Sequence, residues 1–256
     1  MSSKEYEYVS IAEKKAKAQK STSKLKKKKI ELQPVIIEGR KLARTWWGIA
    51  WNDNMESYSD YENRIGRGRS YVRNGAVLDL KIEKGVVNAL VQGSRTKPYE
   101  VTIEIDPLGD KVWSKIKKEC EGKIDSLQDL IEGKFPEALS DLFTAKGKGL
   151  FPAPKEISMD CSCPDWAVMC KHVASVFYGI GARLDQEPEL FFTLRNVNME
   201  ELIQEAIQNK AEDMMGKAEV KSKRVLTGSD IGDMFGLELE STDNKPASGV
   251  KKTKTD

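Results

Sequence analysis

The apolar positions of this chain change period along its length, and that change divides it into a stranded part and a helical part. Leu78, Leu80 and Ile82 alternate with Val77, Asp79 and Lys81, and the run ends in the turn signal Glu83-Lys84-Gly85. Val87, Ala89 and Val91 alternate with Asn88, Leu90 and Gln92, and Val101, Ile103 and Ile105 alternate with Glu100, Thr102 and Glu104. A period of two with one wet face predicts an antiparallel meander of three strands, with Gly93–Pro98 as its second connection.

From Gly109 the period becomes helical. Val112, Trp113 and Ile116 suit one amphipathic helix, and Leu139, Leu142 and Phe143 suit another. Ser126-Leu-Gln-Asp129 between them resembles a capping box, with Asp in place of Glu or Gln. Val173, Val176, Phe177, Ile180 and Leu184 mark a third buried face. Leu202, Ile203, Ala206 and Ile207 mark a terminal helix over Met199–Met215, with Asn198 as its N-cap. The fold class predicted is α+β: an N-terminal β-meander unit followed by a helical region. Trp46, Trp47 and Trp51 precede the strands. Trp47 and Trp51 share a helical face, and core packing is favoured over an exposed base-stacking platform.

Chemistry concentrates in one short stretch. Cys161-Ser-Cys163-Pro-Asp-Trp-Ala-Val-Met-Cys170-Lys-His172 holds three of the four cysteines and the only histidine. Three thiolates and an imidazole match the ligand set of tetrahedral structural Zn²⁺. Cys161 and Cys163, two apart, face the same way in an extended segment, which Ile157–Asp160 would lead into. Cys170 and His172 do not share a face on a regular helix, so Cys170 belongs at or before a helix cap and His172 in the first turn. The helix N-terminus would favour the Cys170 thiolate. A Cys161–Cys163 disulfide would be badly strained. Cys120, beside Lys117 and Lys118, reads as a bystander thiol.

Cys-x-Cys-x6-Cys-x-His resembles the SWIM zinc finger at all four ligand positions. The segments Trp46–Trp51, Asn63–Tyr71, Val91–Arg95, Pro98-Tyr99 and Pro188–Arg195 also look like those of the prokaryotic SWIM proteins, so the resemblance spans roughly residues 40–210. It implies a finger serving DNA or protein binding, often beside Swi/Snf-type helicases.

Charge adds a second candidate surface. Residues 1–33 hold ten Lys against four Glu, a net +6, so with +2 overall the remainder carries −4. The lysine block reads as a mobile arm, solvated or phosphate-seeking. Within the body, Asn63–Arg73 carries four arginines and two glycines and no acid, and reads as a loop. The candidate nucleic-acid contacts are Arg64, Arg67, Arg69, Arg73, Arg95 and Lys171, because Arg forks suit phosphate. Lys146–Pro154 reads as a linker into the finger. Ile231–Leu237 forms a short apolar docking segment, and residues 241–256 read as disorder. The segments expected are thus 1–33, 34–108, 109–149, 150–215 and 216–256.

Some function classes recede. No His-Glu-x-x-His, deaminase pair or phosphate-binding loop of the Lys-Ser/Thr type is present. No apolar run reaches membrane-spanning length and the N-terminus lacks a secretory h-region, so a cytoplasmic location is expected. The reading is a non-enzymatic zinc protein that binds nucleic acid, with a protein adaptor docking on a helicase or similar machine as the alternative.

Overall fold

A computed structural model of the chain describes residues 10–59, 62–120, 135–145 and 147–219. Described residues up to Lys210 fall in one compact unit, and those from Ala211 in another. The capping box at Ser126, the Ile231–Leu237 segment and the C-terminal tail beyond Glu219 lie outside the described residues.

The meander forms as its alternation predicts. Strands β1 (Val77–Glu83), β2 (Val86–Val91) and β3 (Tyr99–Ile105) pair antiparallel in sequence order. Gly85, at φ +70°, closes the first hairpin and accepts a hydrogen bond from Ile105 N–H at 2.8 Å. A fourth strand, β4 (Ile157–Cys161), adds antiparallel to β3, with Cys161 opposite Val101 and Ile157 opposite Ile105. The expected extended entry to the Cys161–His172 segment is therefore the edge of the same sheet, and that segment and the meander share one sheet.

Helices pack against this sheet. Two of them stand where the sequence pattern predicts no helix. The segment expected to be a mobile arm contains α1 (Ile11–Lys27), opened by a capping box in which Ser10 and Glu13 exchange hydrogen bonds. Seven lysines line it against one acid, yet Ala18 and Ser21 are buried, and Ser21 Oγ donates to Gln92 Oε1 at 2.6 Å. Lys29, at φ 60°, stops the helix. The Arg/Gly stretch expected to be a loop is α3 (Glu62–Arg73), which buries Ile65, Gly68 and Val72 at helical spacing. Its glycine is an asset here, because a Cβ on Gly68 would lie 2.6 Å from Ala174 Cβ.

Helix α2 (Trp46–Glu56) settles the tryptophans as core. Trp47 and Trp51 are buried and Trp46 half-buried, and their indole N–H groups donate to Leu184, Phe177 and Phe135 carbonyls respectively. Helix α4 (Asp110–Cys120) buries Trp113, Ile116 and Cys120. Short α5 (Ser140–Thr144) follows, and residues 149–152 are buried, so the middle of the predicted linker is core.

The hub is α6 (Lys171–Leu184), which packs against α2, α3 and the sheet. Eleven of its fourteen residues are buried, so it lies inside the unit and has no wet face. Asp185, just past its end, accepts from Arg44 N–H, Thr45 N–H and Thr45 Oγ1 at the start of α2. Helix α7 (Leu190–Leu194) and α8 (Met199–Glu219) complete the order. Asn198 Oδ1 accepts from Glu200 N–H at 2.9 Å, as an N-cap should. Among the described residues, no helix is long and apolar enough to cross a membrane.

Candidate metal centre

Two elements converge to make the site. The end of β4 is pinned to the start of β3: Ser162 N–H donates to the Glu100 carbonyl at 3.0 Å, and Ser162 Oγ accepts from Glu100 N–H at 2.9 Å. This fixes the backbone on both sides of Ser162, hence Cys161 and Cys163. On the other flank, Cys170 is the extended N-cap of α6 (φ −68°, ψ 168°), and His172 lies in its first turn. That is the arrangement the one-residue spacing demanded.

The four ligand atoms of Cys161, Cys163, Cys170 and His172 all lie within 4.8 Å of one another, close enough to hold a metal ion. His172 Nδ1 is 3.8 Å from Cys161 Sγ and 3.9 Å from Cys170 Sγ. Metal–sulfur bonds of about 2.3 Å at tetrahedral angles place donor atoms roughly 3.5–3.8 Å apart, so the set needs only slight contraction around an ion. His172 and Cys170 are each 1% exposed, whereas Cys161 and Cys163 are half-buried at the surface end.

The surroundings orient the imidazole. Tyr99 stacks on it, and Tyr71 meets it edge-on with centroids 5.4 Å apart. Gly93 leaves the space, since a Cβ there would fall 2.4 Å from Tyr99 Cε2 and 2.9 Å from His172 Nε2. Nδ1 faces the sulfurs while Nε2 is buried with no hydrogen-bond partner among the described residues. Cys170 is pulled down to about 4 by the hydrogen bond from Cys161, helped by His172 and the Val173 N–H against the cost of burial. The same bond, with burial, pushes Cys161 up, and burial pushes Cys163 up. Because the thiolate and not the thiol is the metal ligand, binding of a metal at this cluster would release protons.

The arginines predicted to meet nucleic acid do not act as one group. Arg64 pairs with Asp165, in the loop between Cys163 and Cys170, at 3.0 Å, with both side chains mostly buried. Arg69 is bound to Glu56 and donates from Nε to Tyr178 Oη at 2.8 Å. These two hold α3 against the loop and against α2 and α6. Arg73 is exposed and donates to the Arg40 carbonyl at 3.2 Å. Arg95 is exposed over the Tyr99 ring at 5.3 Å. Arg67 is exposed, one turn along α3 from Arg64 and near Tyr71. Lys171 is half-buried and close enough to help hold the Asp165 carboxyl low. Arg183, on α6, donates to the Pro34 carbonyl at 3.2 Å.

Sequence reasoning missed the part played by α1. Lys14 and Lys17 line a recess of about 130 Å³ together with Tyr71, Asn74, Gly93 and Ser94, and Lys17 Nζ donates to the Ser94 carbonyl. Two of those wall residues, Tyr71 and Gly93, also border the His172 ring. The Ser10–Glu13 capping box was the available signal. A second, wider recess of about 590 Å³ is lined by Lys15, Lys26, Arg73 and Ile36. Between the metal ligands, Trp166 and Val168 stand 77% and 65% exposed.

No family model matches the chain, and no solved structure matches it. It is 38% identical over 163 residues to the uncharacterized protein Rv2102 of Mycobacterium tuberculosis (strain ATCC 25618 / H37Rv), a match covering 63% of this chain. The match spans 58% of that relative's length.

Proposed function

We propose that the cluster is a structural Zn²⁺ site of the SWIM type in a non-enzymatic protein that binds nucleic acid. The donor chemistry favours zinc over harder cations, since three sulfurs and one imidazole suit a borderline-soft ion and no carboxylate belongs to the set. Four protein ligands fill a tetrahedral shell and leave no open position for a reacting water. Cys161 and Cys163 would hold the ion from the sheet edge, and Cys170 and His172 from the central helix. Bound zinc would thus tie β4 to α6 and set the loop between them.

One observation carries the nucleic-acid reading. Lys14 and Lys17 share a recess with Tyr71 and Gly93, which border the metal ligand His172, so a cationic surface and the metal centre occupy one face. Docking α1 on the body turns a charge run into a placed surface, which raises its value for binding phosphate. The test is metal content by mass spectrometry, followed by titration of labelled DNA at low and physiological salt. One zinc per chain and an affinity that falls steeply with salt are expected. A Lys14→Ala/Lys17→Ala variant should flatten that fall, and an unchanged slope would count against the reading.

A second reading has its own support. Trp166 and Val168 present apolar surface on the finger loop, as a module docking on a helicase or another protein would. An adaptor would show little DNA affinity at any salt concentration.

A further inference from the structure

We infer that this face takes a single strand of nucleic acid, with Trp166 as the platform for one unpaired base and Lys14, Lys17 and Arg67 as phosphate contacts. The inference rests on the nucleic-acid reading above and narrows it. Trp166 departs from the other tryptophans. Trp47, Trp51 and Trp113 are buried and Trp46 is half-buried. Trp166 is 77% exposed, and a stacked base would cover apolar surface that the fold leaves open.

The loop also holds Trp166 in place before any ligand arrives. Asp165, its neighbour, is bound by Arg64 at 3.0 Å and accepts from Ala167 N–H at 3.4 Å. Metal ligands bracket the loop at Cys163 and Cys170. An aromatic ring on a pre-ordered loop loses little entropy on stacking.

The cations form a track leading away from it. Helix α3 begins near Trp166, through the Arg64–Asp165 pair, and is followed directly by Asn74, which lines the recess with Lys14 and Lys17. Between them Arg67 lies exposed. Ten residues of helix rise about 15 Å, a span suited to a few nucleotides. Two of the acids near this track are paired, Asp165 with Arg64 and Glu56 with Arg69, and Glu62 stands exposed at the start of α3. A duplex hides the faces of its bases in the stack, so a lone exposed indole gains nothing from it, whereas an unpaired strand offers a π-face at every base.

The experiment uses the full zinc-loaded chain with labelled oligothymidylate and a duplex of equal length, at low and physiological salt. The intact protein should bind the single strand more tightly. Trp166→Ala should weaken that binding about 5- to 100-fold, the range of one base–aromatic stack, with the salt slope unchanged. Trp166→Phe should recover most of the loss. A Lys14→Ala/Lys17→Ala/Arg67→Ala variant should instead lower the slope by about 2, at roughly 0.7 per phosphate. Zinc content is measured throughout, and Trp166→Leu replaces the alanine variant if that one sheds metal. Equal affinity for duplex, or a metal-replete Trp166 variant with full single-strand affinity, overturns the inference and leaves nucleic-acid binding standing. Failure of the intact protein to bind either DNA overturns both and returns Trp166 to the adaptor reading.

Discussion

Tyr99 lies flat against His172, with ring centroids 4.3 Å apart and planes inclined by 26°. The tyrosine opens β3 and the histidine sits in the first turn of α6, so the stack couples the sheet to the Cys/His cluster. Rings that orient a ligand act on metal affinity much as hydrogen-bonding partners do. Tyr99→Ala should lower zinc affinity by about 10- to 100-fold, and Tyr99→Phe should keep it. Competition against a chromophoric chelator would read the difference, and equal affinities would separate the stack from the metal's hold.

Removing a zinc held by this cluster should undo more than the Cys161–His172 segment. Structural zinc supplies on the order of 10–16 kcal/mol of apparent binding free energy, against a typical total stability of about 5–15 kcal/mol. The ligands span β4 and the N-terminus of α6, the most buried helix, so their release should loosen the whole unit up to Lys210. His172→Ala or chelation should expose α6 to protease and abolish a cooperative thermal transition. A metal-free protein with an unaltered melting temperature would contradict this.

Two glycines of α3 should respond to alanine with opposite signs. Nothing lies within 4 Å of a Cβ on Gly66, so Gly66→Ala should stabilise by roughly 0.5–1 kcal/mol through helix propensity. Gly68→Ala would press on Ala174 at 2.6 Å and on the Ser175 backbone at 3.1 Å. It should destabilise by about 1–3 kcal/mol despite the same propensity gain. Urea denaturation of the two variants compares them directly.

Acid should weaken the grip of α3. Burial pushes Glu56 up, but hydrogen bonds from Arg69 and Tyr178 outweigh it and hold the carboxyl below its ordinary value. Asp165 is likewise raised by burial and lowered further by the Ala167 N–H, Arg64 and Lys171. A folded value below the unfolded one means stability present above the unfolded pKa, about 4, and lost as pH falls through the folded value. The loss should begin below about pH 4.5. For Glu56 it should amount to about 1 kcal/mol or less, because solvent reaches both partners. Denaturation of Glu56→Gln from neutral to acid pH should show a correspondingly shallower fall than the parent.

What could be read from the chain follows from how local each signal is. The strands and the convergence of Cys161, Cys163, Cys170 and His172 were legible because a period of two and a one-residue spacing are local rules, and both held at Val101–Ile105 and Cys161–His172. Helix α3 was not legible as a helix. Its arginines and glycines look loop-like until Gly68 is seen to admit Ala174, and Arg64 and Arg69 to reach Asp165 and Glu56 more than a turn of chain away. Those partners lie 101 and 13 residues off in sequence, beyond any local pattern. Helix α1 was hidden by its own charge: like-signed lysines argue against order, and the small contacts of Ala18 and Ser21 leave no apolar stripe to find. Trp166 was visible as a residue, but its exposure was not, because aromatic residues are buried more often than displayed.

The pairing of β3 with β4 also imposes an order of assembly. About fifty residues separate Ile105 from Ile157, whereas β1 to β3 are joined by short turns. Local hairpins form quickly, and closing the long excursion carries a larger entropic cost. During synthesis the meander and Tyr99 would emerge well before the first thiol of the cluster. Zinc would then act as a late latch, capturing β4 only when the rest of the sheet already offers it an edge.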